Sequence, residues 1–310
     1  MTEIKSCEHV IKILVSLCGL IDSKDFFYSR NDHGKLIQNI VFEFMCDDFE
    51  AMIQERNKKG TYFVERDIKL YIYQLLKGLE YIHSKGKILA IFNFFDFQEF
   101  LGVFGGLIGL NRFSYTSWLT FYLGIVHRDL KPENILISNK NIVKICDFGS
   151  SKHIDLNGKN TPYIVSRYYR APELNLCITN YNSAIDIWAT GCILCELITK
   201  EPVFQGTDEG NQLFAIFKVL GSPTKEEFEI LSKRVPYDPK IFNDFPSFKK
   251  DDKRLRSKFH IMNDKDNLMD LLSKMFAYIP ERRINAADAL THPFFDDIRN
   301  DYYNLMLKTK

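Results

Sequence analysis

The sequence predicts an α+β protein, a small β-rich lobe followed by a larger, mostly α-helical one. Strand-like runs rich in β-branched and aromatic residues are concentrated before residue 46, and helical spacing of apolar residues dominates from residue 208 onward. The length of 310 residues, 45% hydrophobic and 26% charged, suits a two-lobed domain with a sizeable core.

Residues 9–17 and 36–45 read as strands, and the polar stretch 29–35, with Asn31-Asp32-His33-Gly34, reads as the turn between them. Over 66–84, apolar residues at Ile68, Tyr71, Ile72, Leu75, Leu76, Leu79, Tyr81 and Ile82 recur at helical spacing and predict an amphipathic helix. The short apolar runs 135–137 and 142–146 flank Ser138-Asn139-Lys140-Asn141 and predict a β-hairpin. Between Asp186 and Leu197 the pattern is apolar nearly all round, which predicts a buried helix. The charge run 246–256 reads as a solvated loop.

A net charge of +1 gives no reason to expect a nucleic-acid or membrane partner. The seven cysteines show no C-x-x-C spacing, and Met1-Thr2-Glu3-Ile4-Lys5 does not open a secretory signal. Reduced thiols in the cytoplasm and/or nucleus are expected. No internal repeat is present.

The run His127-Arg128-Asp129-Leu130-Lys131-Pro132-Glu133-Asn134 is followed by Asp147-Phe148-Gly149, and then by Ala171-Pro172-Glu173. Phosphoryl transfer needs metal ions held by oxygen ligands, a base for the hydroxyl nucleophile, and cations on the phosphates. The run resembles a kinase catalytic loop, and the resemblance would make Asp129 the base, Lys131 the phosphate cation, and Asn134 and Asp147 the Mg²⁺ ligands. Each tripeptide alone is weak, but the ordered set resembles the motif series of protein kinases. The resemblance implies a protein-kinase-like fold with an incomplete β-rich N-lobe, ATP and Mg²⁺ as cofactors, and protein substrates. It makes Glu173 and Arg283 a buried ion pair, and Asp186 an acid bracing the catalytic loop. Glu43-Phe44-Met45 becomes the hinge, with Glu43 and Met45 at the adenine, Phe42 behind it, and Asp48 within reach of the ribose. Plain core packing is the competing reading of Phe42 and Met45.

Within the kinases, Tyr163-Ile164-Val165-Ser166-Arg167-Tyr168-Tyr169-Arg170-Ala171-Pro172-Glu173 resembles the activation segment of glycogen synthase kinase 3, the shaggy-type kinases. Ser150-Ser151-Lys152 and Lys218-Val219-Leu220-Gly221-Ser222-Pro223-Thr224 fit the same group, which lies in the CMGC group of kinases. Val41-Phe42-Glu43-Phe44-Met45 is closer to a cyclin-dependent kinase hinge. The resemblance covers roughly residues 7–86 and 124–297. It implies a preference for substrates already phosphorylated near the target, with Arg128 and Lys152 supplying two of three cations for that phosphate. Tyr163 matches the tyrosine phosphorylated in that family.

Two departures stand against the pattern. No Gly-x-Gly-x-x-Gly precedes the hinge, and Cys7-Glu8-His9-Val10-Ile11 resembles the entry to the fourth small-lobe strand. The glycine loop, the ATP-pairing lysine and its glutamate are therefore expected to be missing, and the 310-residue chain is expected to have little kinase activity. A catalytically inactive kinase-like scaffold is the alternative. The expected organisation is a kinase domain over 1–300 and a tail over 301–310. Residues 1–45 are an N-lobe remnant; 46–300 form the C-lobe, interrupted at 87–123.

That interruption holds eight phenylalanines, four charged residues and no proline. It reads as a membrane span, a functional insertion or a translated intron. The last is preferred: Gly86-Lys87 can be encoded with a GT donor and Leu123-Gly124 with an AG acceptor. Excision would leave Ser-Lys-Gly-Ile-Val-His-Arg-Asp, continuous with the family pattern.

Overall fold

The computed structural model describes residues 23–31, 34–84, 123–154, 166–237 and 246–308. The first two strands, β1 (Ser23–Arg30) and β2 (Leu36–Phe42), form an antiparallel hairpin registered from Arg30 opposite Leu36 to Ser23 opposite Phe42. The turn is closed by Asn31 and Lys35 and passes through Gly34 at φ 74°, a left-handed position that glycine takes without a Cβ clash. The expected strand 36–45 ends at Phe42, and 29–30 belong to β1, not to the turn. β1 itself is not anticipated by the sequence reading. Its aromatic run Phe26-Phe27-Tyr28 has strand propensity, but polar flanks hide the alternation. The expected strand 9–17 lies outside the described residues.

The short strand β3 (Asp47–Asp48) pairs with the later strand β5 (Ile135–Ile137) and leads into helix α1 (Phe49–Lys59). Asp48 caps α1 by accepting from Ala51 N at 2.8 Å, and Gly60 ends it at φ 63°. Helix α2 (65–84) follows and buries Ile68, Ile72, Leu75, Leu76, Leu79 and Ile82, the face that the periodicity predicts. Strand β4 (Leu123–Val126) pairs with β7 (Lys152–Ile154), and between them β5 and β6 (Val143–Ile145) form the expected hairpin.

After α3 (Pro172–Asn175), helix α4 (Ala184–Thr199) runs through the centre of the lobe with 14 of its 16 residues buried. Trp188 packs on Phe204 and Phe276, with ring centroids 5.7 and 5.0 Å away. Gly191 admits that packing, since a Cβ there would come within 2.8 Å of the Phe276 ring. Around α4 lie α5 (Glu209–Leu220), α6 (Lys225–Ser232), α7 (Asp252–Lys258), α8 (Lys265–Met275), α9 (Ala286–Leu290) and α10 (Arg299–Leu307). The charge run 246–256 is not wholly a loop. Asp251 caps α7 by accepting from Lys253 N, and Leu255 is buried beneath it. One good cap and one apolar anchor are enough to fold a run whose composition suggests solvent. No described helix is long and apolar enough to cross a membrane, and the interrupting segment 87–122 lies outside the described residues.

Candidate active site

The loop between β4 and β5 is built on one buried carboxylate. Asp186, in the first turn of α4, accepts from His127 N at 2.9 Å and Arg128 N at 3.0 Å, and holds His83 Nε2 at 2.8 Å. Three elements therefore meet at one side chain: α2 through His83, the loop through its backbone, and α4. Arg128 is left-handed at φ 71°, a conformation a non-glycine residue holds only when its surroundings fix it. The sequence reading of Asp186 as a brace is what the geometry contains.

His127 joins this loop to the strand before Asp147. Burial pushes its pKa below the ordinary imidazole value, so the ring is neutral at pH 7. Its Nε2 lies 2.8 Å from the Cys146 carbonyl and its Nδ1 3.3 Å from Asp129 N. A neutral ring satisfies both with Nε2–H as donor and Nδ1 as acceptor. The ring also packs edge-on against Phe148 at 4.9 Å.

Asp129 stands at the mouth of the loop. Asn134 Nδ2 donates to its carbonyl at 2.8 Å and reaches its Oδ2 at 3.4 Å, while Lys131 Nζ is 3.7 Å from Oδ2. Ser166 donates to Oδ1 through both N and Oγ, each at 3.2 Å. The expected catalytic residues Asp129, Lys131 and Asn134 are thus brought together. Asp147 is exposed, left-handed at φ 57°, and accepts from Gly149 N at 3.2 Å. With its nitrogen committed to Asp129, Asn134 has an amide oxygen left to act as an acceptor. An amide oxygen and a carboxylate are hard ligands suited to Mg²⁺. Among the described residues no three His, Cys, Asp or Glu side chains converge on one point, so water and phosphate would supply the rest of such a shell.

The remaining expected residues are placed less uniformly. Glu43 forms an ion pair with Lys144 on β6, and Met45 lies half-buried beside it in the stretch between β2 and β3. Phe42 is 44% exposed, so it is not buried as a pocket wall or core residue among the described residues. Asp48 spends one carboxylate oxygen on the α1 cap. Arg128 gives its guanidinium hydrogen bonds to the Ser150 carbonyl and the Tyr181 hydroxyl, both neutral acceptors. Lys152 is exposed on β7, and Tyr163 lies outside the described residues. The expected Glu173–Arg283 pair is present, bidentate at 2.8 and 3.0 Å and fully buried.

A family model described as protein kinase domain matches residues 120–295, more than half of the chain. The chain belongs to the protein kinase family. Its relatives sharpen this. It is 34% identical to glycogen synthase kinase 1 of Pyricularia oryzae, across 96% of this chain and 64% of the relative. It is 33% identical to protein kinase gsk3 of Schizosaccharomyces pombe, across 91% and 62%. It is 31% identical to the serine/threonine-protein kinase RIM11/MSD1 of Saccharomyces cerevisiae, across 96% and 68%. The chain therefore spans between about half and two thirds of the length of the curated relatives it matches. The small antiparallel hairpin and the mostly helical lobe are the two parts of this kinase fold that the described residues contain.

Sequence reading missed Ser166 against Asp129, Lys144 against Glu43, His83 on Asp186, and a hydrogen bond from Tyr169 to Glu196. Glu196 alone left a signal. It is an acid inside an otherwise apolar helical run, and a buried polar group requires a partner.

Proposed function

We propose that this chain carries the catalytic machinery of an ATP- and Mg²⁺-dependent protein serine/threonine kinase. The observation that supports this most is Asp129 held between Asn134, Lys131 and Ser166 on a loop braced by Asp186. Bound ATP with Mg²⁺ would supply the transferable phosphoryl group and neutralise its charge. Asn134 and Asp147 would hold the metal, and the Glu43–Met45 stretch and Asp48 would hold the nucleoside. Asp129 would accept the proton of the substrate hydroxyl at its carboxylate, and Lys131 would meet the charge on the phosphoryl oxygens. Calorimetry with ATP and Mg²⁺ tests the reading. Binding strengthened by Mg²⁺, with that dependence lost in Asp147→Asn, supports it; nucleotide binding indifferent to Mg²⁺ removes it.

Three finer parts of the proposal rest on separate grounds. A preference for phosphate-primed substrates is supported by Arg128, whose hydrogen bonds to neutral acceptors leave its charge uncompensated by them. A phosphorylated peptide that competes no better than its unmodified form would end it. Low activity is proposed only for these 310 residues by themselves, which hold no Gly-x-Gly-x-x-Gly ahead of Glu43, and ordinary turnover by them would refute it. A cytoplasmic and/or nuclear setting rests on the unpatterned cysteines, and fractionation tests it.

The reading of 87–123 as a translated intron gains support from how its flanks meet. Gly124, at φ 42°, lies so close to the end of α2 that a Cβ would come within 2.2 Å of the His83 carbonyl oxygen. His83 and Gly124, on either side of the segment, are therefore already adjacent, as a direct join requires. A mature transcript that retains codons 87–123 would refute the intron.

A further inference from the structure

Strand β6, which delivers Asp147, is held from several sides. It pairs with β5 from Ile137 opposite Val143 to Ile135 opposite Ile145. Gln74 on α2 is buried; its side chain accepts from Val143 N at 3.1 Å and donates to the Asn141 carbonyl at 3.0 Å. Beyond the strand, Cys146 N donates to the Asn134 carbonyl at 3.0 Å, and the Cys146 carbonyl accepts from His127 Nε2 at 2.8 Å. Residues 43–46, by contrast, belong to no strand or helix. Side chains tie them to the same sheet: the Cys46 thiol donates to the Ile137 carbonyl at 3.2 Å, and Glu43 pairs with Lys144 on β6.

Strand alternation places Lys144 for this contact. Val143 and Ile145 enter the core, as do Ile135 and Ile137 on β5, and Lys144 and Leu136 take the opposite face. Asp48, Leu136 and Lys144 are cross-strand partners and form one row of the sheet. The Glu43 and Lys144 side chains are only 25% and 22% exposed, so both charges are largely withdrawn from water. Removing one charge of a covered pair leaves the other poorly solvated, a larger penalty than at an exposed pair.

We infer that Lys144 is a positioning residue for the nucleotide: by pairing with Glu43, it fixes the nucleoside-holding stretch against the strand that ends at Asp147. The inference rests on the reading of Glu43–Met45 as that stretch. A segment without a ladder of its own takes its place from such tethers, and a pre-placed stretch spends less binding energy on being ordered.

Calorimetry with adenosine, and with ATP and Mg²⁺, tests this on the full 310-residue chain. Lys144→Met removes the ammonium and keeps the stem. It should weaken both ligands by the same factor, about tenfold. Lys144→Arg keeps the cation and should stay within about twofold of the wild type. Glu43→Gln should weaken both ligands as Lys144→Met does, and Glu43→Gln/Lys144→Met should be no weaker than either single variant, because the pair acts as a unit. Losses that add in the double variant overturn the inference. A loss confined to ATP also overturns it, since Lys144 would then be a direct contact to the phosphates. Should Lys144→Met fail to fold in urea denaturation, Glu43→Gln decides alone, and unchanged affinity for adenosine sinks the idea. A wild-type chain that binds neither ligand removes the nucleotide reading itself, whereas wild-type binding that the variants leave unchanged removes only the role of Lys144.

Discussion

The β1–β2 hairpin and helix α4 are both held by backbone hydrogen bonds, but they bury their side chains very differently. In the hairpin the ladder is regular from Asp25 to Arg30 and shifts register between Ser23 and Asp25, yet Phe27 is 53% exposed and Leu36 58%. In α4, Trp188, Ile193, Leu194 and Leu197 are fully buried, together with Asp186 and Glu196, which find partners. Backbone pairing alone stabilises a two-stranded ribbon marginally, while the apolar burial around α4 drives cooperative folding. The contrast places the stability of this kinase chain in the helical lobe, around the element that braces the catalytic loop.

The largest break in that contrast should come from the ion pair at the end of the activation segment. Arg283 donates to both Glu173 oxygens and to the Ala277 and Ala184 carbonyls, with no exposure on either side of the pair. Arg283→Ala leaves a buried carboxylate without its cation and should destabilise by about 3–5 kcal/mol in urea denaturation. A loss below about 1 kcal/mol, the range of exposed pairs, would contradict the burial.

Next in size is the titration of the lobe's centre. Glu196 has a folded pKa raised to about 7 by burial, so the folded state binds its proton more tightly than the unfolded chain does. Its contribution is full below the ordinary glutamate range and is lost as pH rises toward 7, on the order of 3 kcal/mol over the whole window. His127, whose folded pKa is depressed by burial, acts with the opposite sign: its contribution is lost as pH falls below the ordinary imidazole value. Glu196→Gln should therefore raise stability at pH 7.5 relative to the wild type and change it little at pH 5. Denaturation midpoints that fall in parallel for both proteins would contradict the assignment.

A smaller effect separates the two readings of Asp48. Asp48→Ala should cost about 1 kcal/mol through loss of the α1 cap, whereas Asp48→Asn should keep the cap and most of the stability. If nucleotide affinity falls in Asp48→Asn as well, the ribose reading stands beside the cap; unchanged affinity leaves the cap alone.

These sites differ in how far the sequence foretells them. The catalytic loop and the Asp147 motif are legible because phosphoryl transfer fixes residue types at short spacings, whereas Asp186 and the Glu173–Arg283 pair, 110 positions apart, are legible only through the family resemblance. Helix α2 is legible because one apolar face repeats over five turns. Lys144 with Glu43 is not, because their contact spans 101 positions and neither neighbourhood marks it. Ser166 on Asp129 is hidden for the same reason across 37 positions. The strand β1 is hidden because its aromatic run Phe26-Phe27-Tyr28 carries no polar–apolar alternation to read.

The smallest effect tests the weak side of the contrast. Phe27 and Leu36 are each more than half exposed, so removing their apolar surface loses little burial. Phe27→Ser and Leu36→Ser should each stay within about 0.5 kcal/mol of the wild type in urea denaturation, the range of ordinary surface changes. Hydrogen exchange should show the β1–β2 amides opening locally, well before the α4 amides, in wild type and variants alike. A loss above about 2 kcal/mol would mean that the hairpin is packed against something that makes it part of the cooperative core. The stability of this chain would then be shared between its two lobes, and the exposed ribbon would have to be read as an interface.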